Sequence, residues 1–186
     1  REPVLTISTH REGIFFYPGT GFVDEIGEGE GKGYSVNIPL PPGTPDDVYL
    51  WAFNEVVPPL IRAYRPEILL NQFGVDGHYQ DPLVGLALTT RTYEAVASTM
   101  HQLAHEVCNG RYLVFGGGGY DPNNSARCLV IMFATVSEAL PESSKEEYTE
   151  LFDKTQPTSD KRVFDEVKNT VERLKRLVFP FHGLKP

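Results

Sequence analysis

A parallel α/β fold is what this sequence predicts, and three observations carry the prediction. Four short apolar runs are bounded by turn residues, helical periodicities fill the stretches between them, and two of the runs meet glycine within a residue or so. Strands that alternate with helices imply a parallel sheet covered on both faces.

The first strand is VLTIS at 4–8 and the second YSVNI at 34–38, preceded by the locally biased GEGEGKG at 27–33. A helix is expected over 46–64, where Val48, Ala52, Val56 and Leu60 recur on one face beside Trp51. Pro58 and Pro59 should kink or shorten it. EILLNQF at 67–73 is the third strand. The next helix, 92–108, carries Tyr93, Val96, Met100, Leu103 and Val107 and stops at Asn109-Gly110, a pair suited to a left-handed end. RYLVF at 111–115 is the fourth strand and 124–140 the third helix. The charged segment 141–159, broken by Pro141 and Pro157, reads as a surface linker with one short helix near 145–152. The C-terminal helix, 160–178, has Phe164, Val167, Val171, Leu174 and Val178 on a single stripe.

A chain of 186 residues can bury about two-thirds of its unfolded surface without disulfides or metals. Its 40% hydrophobic and 23% charged residues are in the range of soluble domains, and no apolar run approaches the roughly 18 residues of a membrane span. No secretion signal is recognisable, and Cys108 and Cys128 make no disulfide framework, so a cytoplasmic, reducing compartment is expected. The formal charge of −8 argues against direct binding of nucleic acid, since the one basic cluster, at 168–176, alternates with Glu172 and apolar residues as a solvated helix face does. Because the chain opens on Arg1 and enters a strand almost at once, a piece of a longer protein is expected.

In open parallel sheets, ligands bind beyond the carboxyl ends of the strands. Three loops lie there: THREGIFFYPGTG, GVDGHYQDP and GGGGYDPNN. The glycine run 116–119 can be a phosphate cradle before the next helix or a tight turn that packs helix on sheet; it matches neither a dinucleotide fingerprint nor a Walker loop. Asp76, three residues past Phe73, is a candidate metal ligand or a turn-forming aspartate, and His78 two residues on could coordinate with it. His101 and His105 share a helix face but lack the glutamate of HExxH, so two partly exposed helix histidines are the preferred reading. His10, at the end of the first strand run, is a candidate supporting partner; His182 carries no signal.

Taken together, LTISTHREGIFFYPGTG, EIGEGEGKGYSVNIPL, ILLNQFGVDGHYQDPL, LALTT and YLVFGGGGYDPNNSARC, in this order, resemble the zinc-dependent histone deacetylase family, in particular its class I-like bacterial and archaeal members of the acetoin-utilization type. The resemblance covers roughly two-thirds of the chain. It implies the three-layer arginase/deacetylase-like fold without its N-terminal part, and hydrolysis of the acetyl amide of acetyl-lysine side chains. Carried over by position, Asp76 would be one zinc ligand and Tyr120 the phenol that hydrogen-bonds the acetyl carbonyl and then the oxyanion. Zinc lowers the pKa of its water toward about 7, and a phenol donates there without acting as a base.

Phe16 and Tyr17 would form the aromatic wall that grips the lysine methylenes, Tyr17 departing from the family's more usual phenylalanine. Leu83 would stand at the pocket rim, Gly118 and Gly119 would floor or wall the channel, and Asp81 would be structural. Ser8, Thr9 and Tyr34 fall where the family binds structural K+ or Na+. The family's His-His pair and Asp-x-His motif normally precede the VLTIS segment, where only REP stands here, so residues 1–186 are expected to be the C-terminal portion of one deacetylase domain. A truncated acetyl-lysine-binding module without catalysis, or a deacetylase of acetylated polyamines and other small amides, are the competing readings.

Overall fold

The computed structural model describes residues 3–13, 16–139, 142–155, 157–158 and 160–186. Its strands and α-helices follow the expected order: β1 (Thr6–Arg11), β2 (Ser35–Leu40), α1 (Asp46–Tyr64), β3 (Leu69–Phe73), α2 (Thr90–Cys108), β4 (Tyr112–Gly116), α3 (Pro122–Ser137), α4 (Lys145–Glu150) and α5 (Lys161–Val178). The strands pair in parallel as two ribbons, β1 with β2 and β3 with β4. The first register runs from Thr6 opposite Ser35 to Arg11 opposite Leu40, which places β1 later than the expected 4–8 and leaves Val4 outside it, 78% exposed.

The expectation of a sheet covered on both faces is corrected for β3–β4. Side chains alternate along a strand, and the register sets Leu70 opposite Leu113 and Gln72 opposite Phe115 on one face. Leu70, Leu113 and Phe115 are exposed there, whereas Leu69 and Phe73, on the other face of β3, are buried.

α1 continues unbroken through Pro58 and Pro59 with its expected bounds, so the prolines do not shorten it. The two prolines forfeit hydrogen bonds to the preceding turn, but Val56, Val57, Pro58, Leu60 and Ile61 are buried together, so packing of that stripe holds the helix against the loss. Its end is a left-handed Arg65, whose N–H returns to the Ile61 carbonyl just before Pro66. α2 begins two residues before the expected start because Thr89 is its N-cap, accepting from the Arg91 N–H. α3 likewise starts early: Asp121 caps the Asn124 N–H and Pro122 occupies the first turn, while a left-handed Glu138 ends the helix short of residue 140.

α5 packs on α1 and β2 through Val167, Val171, Leu174 and Val178, all essentially buried. Asp46 couples the helix starts: its buried carboxylate accepts from the Thr89 N–H (2.7 Å), the Thr89 hydroxyl (2.7 Å) and the Thr92 hydroxyl (2.6 Å). The expected surface linker contains α4 as foreseen, but it also returns Asp153 to the interior, 7% exposed. Among the described residues no helix is long and apolar enough to cross a membrane.

Candidate active site

The loops that leave β1, β3 and β4 meet around a cavity of about 800 Å³ between the two ribbons. Ser8, Thr9, Phe16, Tyr17, Asp76 and Gly118 are among its lining residues; Tyr34, Leu83, Gly119 and Tyr120 are not. The structure thus brings six of the ten sequence-predicted positions to one hollow. Two of the others, Leu83 and Tyr120, stand more than half exposed.

Backbone contacts dock the Asp76 loop on the glycine run. The Val75 N–H donates to the Gly118 carbonyl at 2.6 Å, and Asp76 abuts Gly118 so closely that a Cβ on that glycine would enter the carboxylate. Gly119 has φ +152°, and a Cβ there would meet the Ser125 hydroxyl and Val75 Cγ2. Gly116, by contrast, faces open space. Gly118→Ala should therefore cost about 1–3 kcal/mol by displacing the Asp76 carboxylate from its place against the glycine. A urea midpoint indistinguishable from wild type would refute this account of the glycines.

Asp81 joins the remaining residues: Oδ2 accepts from the Tyr120 N–H (2.8 Å), and Oδ1 from the N–H groups of Leu83 (2.9 Å) and Val84 (3.3 Å). The structural role expected for Asp81 is what its contacts describe. Tyr120 makes no side-chain hydrogen bond with the described residues; its backbone is pinned and its phenol projects outward. Phe16 lies 4.5 Å beneath the guanidinium of Arg11, which also donates to the Val84 carbonyl at 2.8 Å, so one arginine links Phe16 to the loop that carries Leu83. No sequence signal distinguished that arginine.

Burial pushes the Asp76 carboxyl above the ordinary carboxylate range; its own backbone hydrogen bond opposes this and the nearby Asp81 charge adds to it. Burial also raises Tyr49, whose hydroxyl shares a hydrogen bond of 2.7 Å with Thr9. Ser8 bonds His10 Nδ1 at 2.9 Å, and His10 Nε2 reaches the Gly21 carbonyl at 3.0 Å, tying the loop that carries Phe16 and Tyr17 back to β1. Tyr34 lies elsewhere, edge-on to Tyr64 and to His182, and His182 in turn bonds the Gly33 carbonyl at 2.8 Å.

His78 does not join Asp76, which corrects that expected pairing. Its Nε2 is 2.9 Å from Asp153 Oδ2 and its Nδ1 accepts from the Gln80 N–H at 3.3 Å, so both ring nitrogens are committed in the interior. His101 and His105 touch edge to face at 4.7 Å on α2, with His101 3.3 Å from Glu138, as a peripheral pair. Among the described residues no group of three His, Cys, Asp or Glu side chains is placed to hold a metal ion. A catalytic zinc takes three protein ligands and keeps one position open. The described residues therefore fit that ion in donor type, through Asp76, but not in donor number.

The sequence profile of the histone deacetylase domain matches residues 1–136. The acetoin utilization protein AcuC of Bacillus subtilis is 42% identical over 118 residues, 63% of this chain and 30% of that protein. A probable deacetylase of Archaeoglobus fulgidus is 42% identical over 117 residues, 63% of this chain and 32% of its own length. A solved HDAC homologue from Aquifex aeolicus superposes with a TM-score of 0.72 at 28% identity, over 92% of this chain and 50% of that one. The chain thus spans about a third of the length of the curated relatives it matches.

Proposed function

The chain belongs to the histone deacetylase family, and on that premise we propose that it forms part of the active site of a zinc-dependent deacetylase acting on the acetyl amide of acetyl-lysine side chains. The observation that carries the reading is the docking of the Asp76 loop on the Gly118 backbone, two residues before Tyr120, at the mouth of a cavity walled by Phe16 and Tyr17. When bound, zinc supplies a Lewis acid for the amide carbonyl and an acidified water. Asp76 would contribute one carboxylate to that ion, and the described residues hold no group of three donors that could complete its coordination.

This chain's own work is orientation. Phe16 and Tyr17 hold the lysine methylenes by burying apolar surface, and the Tyr120 hydroxyl donates to the acetyl oxygen as negative charge develops on it. Asp81 holds the Tyr120 backbone, so the phenol swings from a fixed base. Ser8 and Thr9 would hold a structural K+ or Na+ beneath the site, with Tyr34 near a second.

Asp76→Asn separates this reading from a merely structural one. A carboxyl whose folded-state pKa is raised keeps its proton more tightly when folded, so its contribution to stability falls as pH climbs from the ordinary carboxylate range through the raised value. Ionised Asp76 is then a net cost at neutral pH. The substitution should therefore raise the melting temperature at pH 7. The gain should vanish near pH 3. In a domain of the relatives' full length it should also abolish hydrolysis of an acetyl-lysine peptide. Full activity in that variant would overturn the assignment.

A further inference from the structure

The segment after α4 lies beyond residues 1–136, the part matched by the family profile, yet it delivers a buried carboxylate to His78, two residues from Asp76. The Asp153 side chain is 4% exposed and has a partner for each oxygen. Oδ2 accepts from the Thr90 N–H at the first turn of α2 (2.9 Å) and lies 2.9 Å from His78 Nε2; Oδ1 accepts from Arg127 Nη2 on α3 (2.9 Å). The Asp153 N–H donates to the Thr90 hydroxyl at 2.8 Å, closing a two-way clasp. Arg127 also reaches the Leu151 carbonyl (3.0 Å) and Asn124 Oδ1 (2.7 Å).

His78 carries this anchorage into the loop that bears Asp76. The Gln80 N–H points at Nδ1, which leaves the ring proton on Nε2, directed at Asp153. The ring is 1% exposed and stacks 6.5 Å from Tyr93, whose hydroxyl donates to the Val75 carbonyl at 3.1 Å. The His78 N–H returns to that same carbonyl at 3.2 Å. Residues 75–78 are therefore gripped from below while Asp76 faces the cavity above.

We propose that Asp153 is a positioning residue for the site: through His78 it sets the loop that presents Asp76, making the α4–α5 connection a working part of the active site. The proposal rests on the reading of Asp76 given above. It differs from a general stabilising role in one respect, because Asp153 acts on the 75–81 loop more than on the rest of the fold.

Two measurements on the 15N-labelled 186-residue chain test it. Long-range 1H–15N correlation of His78 should show the proton on Nε2 at neutral pH; a proton on Nδ1 would overturn the proposal. Amide exchange at Val75, His78, Tyr79 and Asp81 should rise about tenfold or more in Asp153→Ala, while Val36 and Ile38 in β2 keep their wild-type rates. Asp153→Asn, whose carbonyl can still accept from His78 and Thr90, should restore the ring signature and most of the protection. Uniform acceleration across β2 and the loop, no acceleration at the loop, or an Asn variant no better than Ala would each overturn it. Should the Ala variant fail to fold, the wild-type ring proton and the Asn variant decide. Full activity of Asp76→Asn in a complete domain would remove the functional reading and leave these results standing, so the two failures are distinguishable.

Discussion

Tyr120→Phe, made in a domain of the relatives' full length, is expected to hydrolyse an acetyl-lysine peptide about a hundredfold more slowly than wild type, with the melting temperature almost unmoved. The asymmetry follows from the surroundings of the side chain. Its backbone N–H is held by Asp81 and its ring is 56% exposed, so loss of the hydroxyl breaks no hydrogen bond among the described residues and opens no cavity. On the proposed reading, what disappears is the donor that meets charge developing only in the transition state, so kcat should fall while KM changes little. A variant with wild-type kcat would remove Tyr120 from the chemistry, whatever the fate of Asp76.

Asp46→Ala should have the opposite character: a large loss of stability at a buried position that does not itself line the cavity. Three buried donors, the Thr89 N–H and the hydroxyls of Thr89 and Thr92, would lose their only described acceptor. Stranded polar groups of this kind, together with removal of a carboxylate from the first turn of α1, cost about 3–5 kcal/mol. That is a large share of the roughly 5–15 kcal/mol available to a domain. Urea unfolding should show the midpoint falling sharply at constant slope, and Asp46→Asn should recover part of the loss because its carbonyl oxygen still accepts. If Ala and Asn were equally mild, the carboxylate would be dispensable to the junction between α1 and α2.

The order of strands and helices was legible because periodicity and turn residues are local signals, and α1 carries both of its expected ends. Boundaries moved where a cap outranked the apolar pattern: Thr89 and Asp121 each start their helices before the first periodic residue. Of the site, Asp76 and the glycine run were visible because they directly follow strands that fix their direction. The pairing of Asp76 with His78 failed for a physical reason, since a two-residue spacing in a turn does not determine which way the second side chain points. His78 turns inward because a carboxylate 75 residues away awaits it, and no local pattern encodes that partner. Asp153 was invisible for the same reason, sitting in a charged stretch whose neighbours are solvated. Asp46 did carry a signal, an acid immediately after Thr44-Pro45 at a helix start, but nothing nearby indicated that Thr89 and Thr92 would converge on it.

The uncovered leucines and phenylalanine of the β3–β4 ribbon bear on how the 186-residue chain will behave in a test tube. Leu70, Leu113 and Phe115 form a greasy flank on strands that pair only with each other, the combination from which edge-to-edge stacking into insoluble material begins. Purification yield should accordingly worsen with concentration and ionic strength, and improve when a mild detergent or a charged replacement at Leu113 masks that flank.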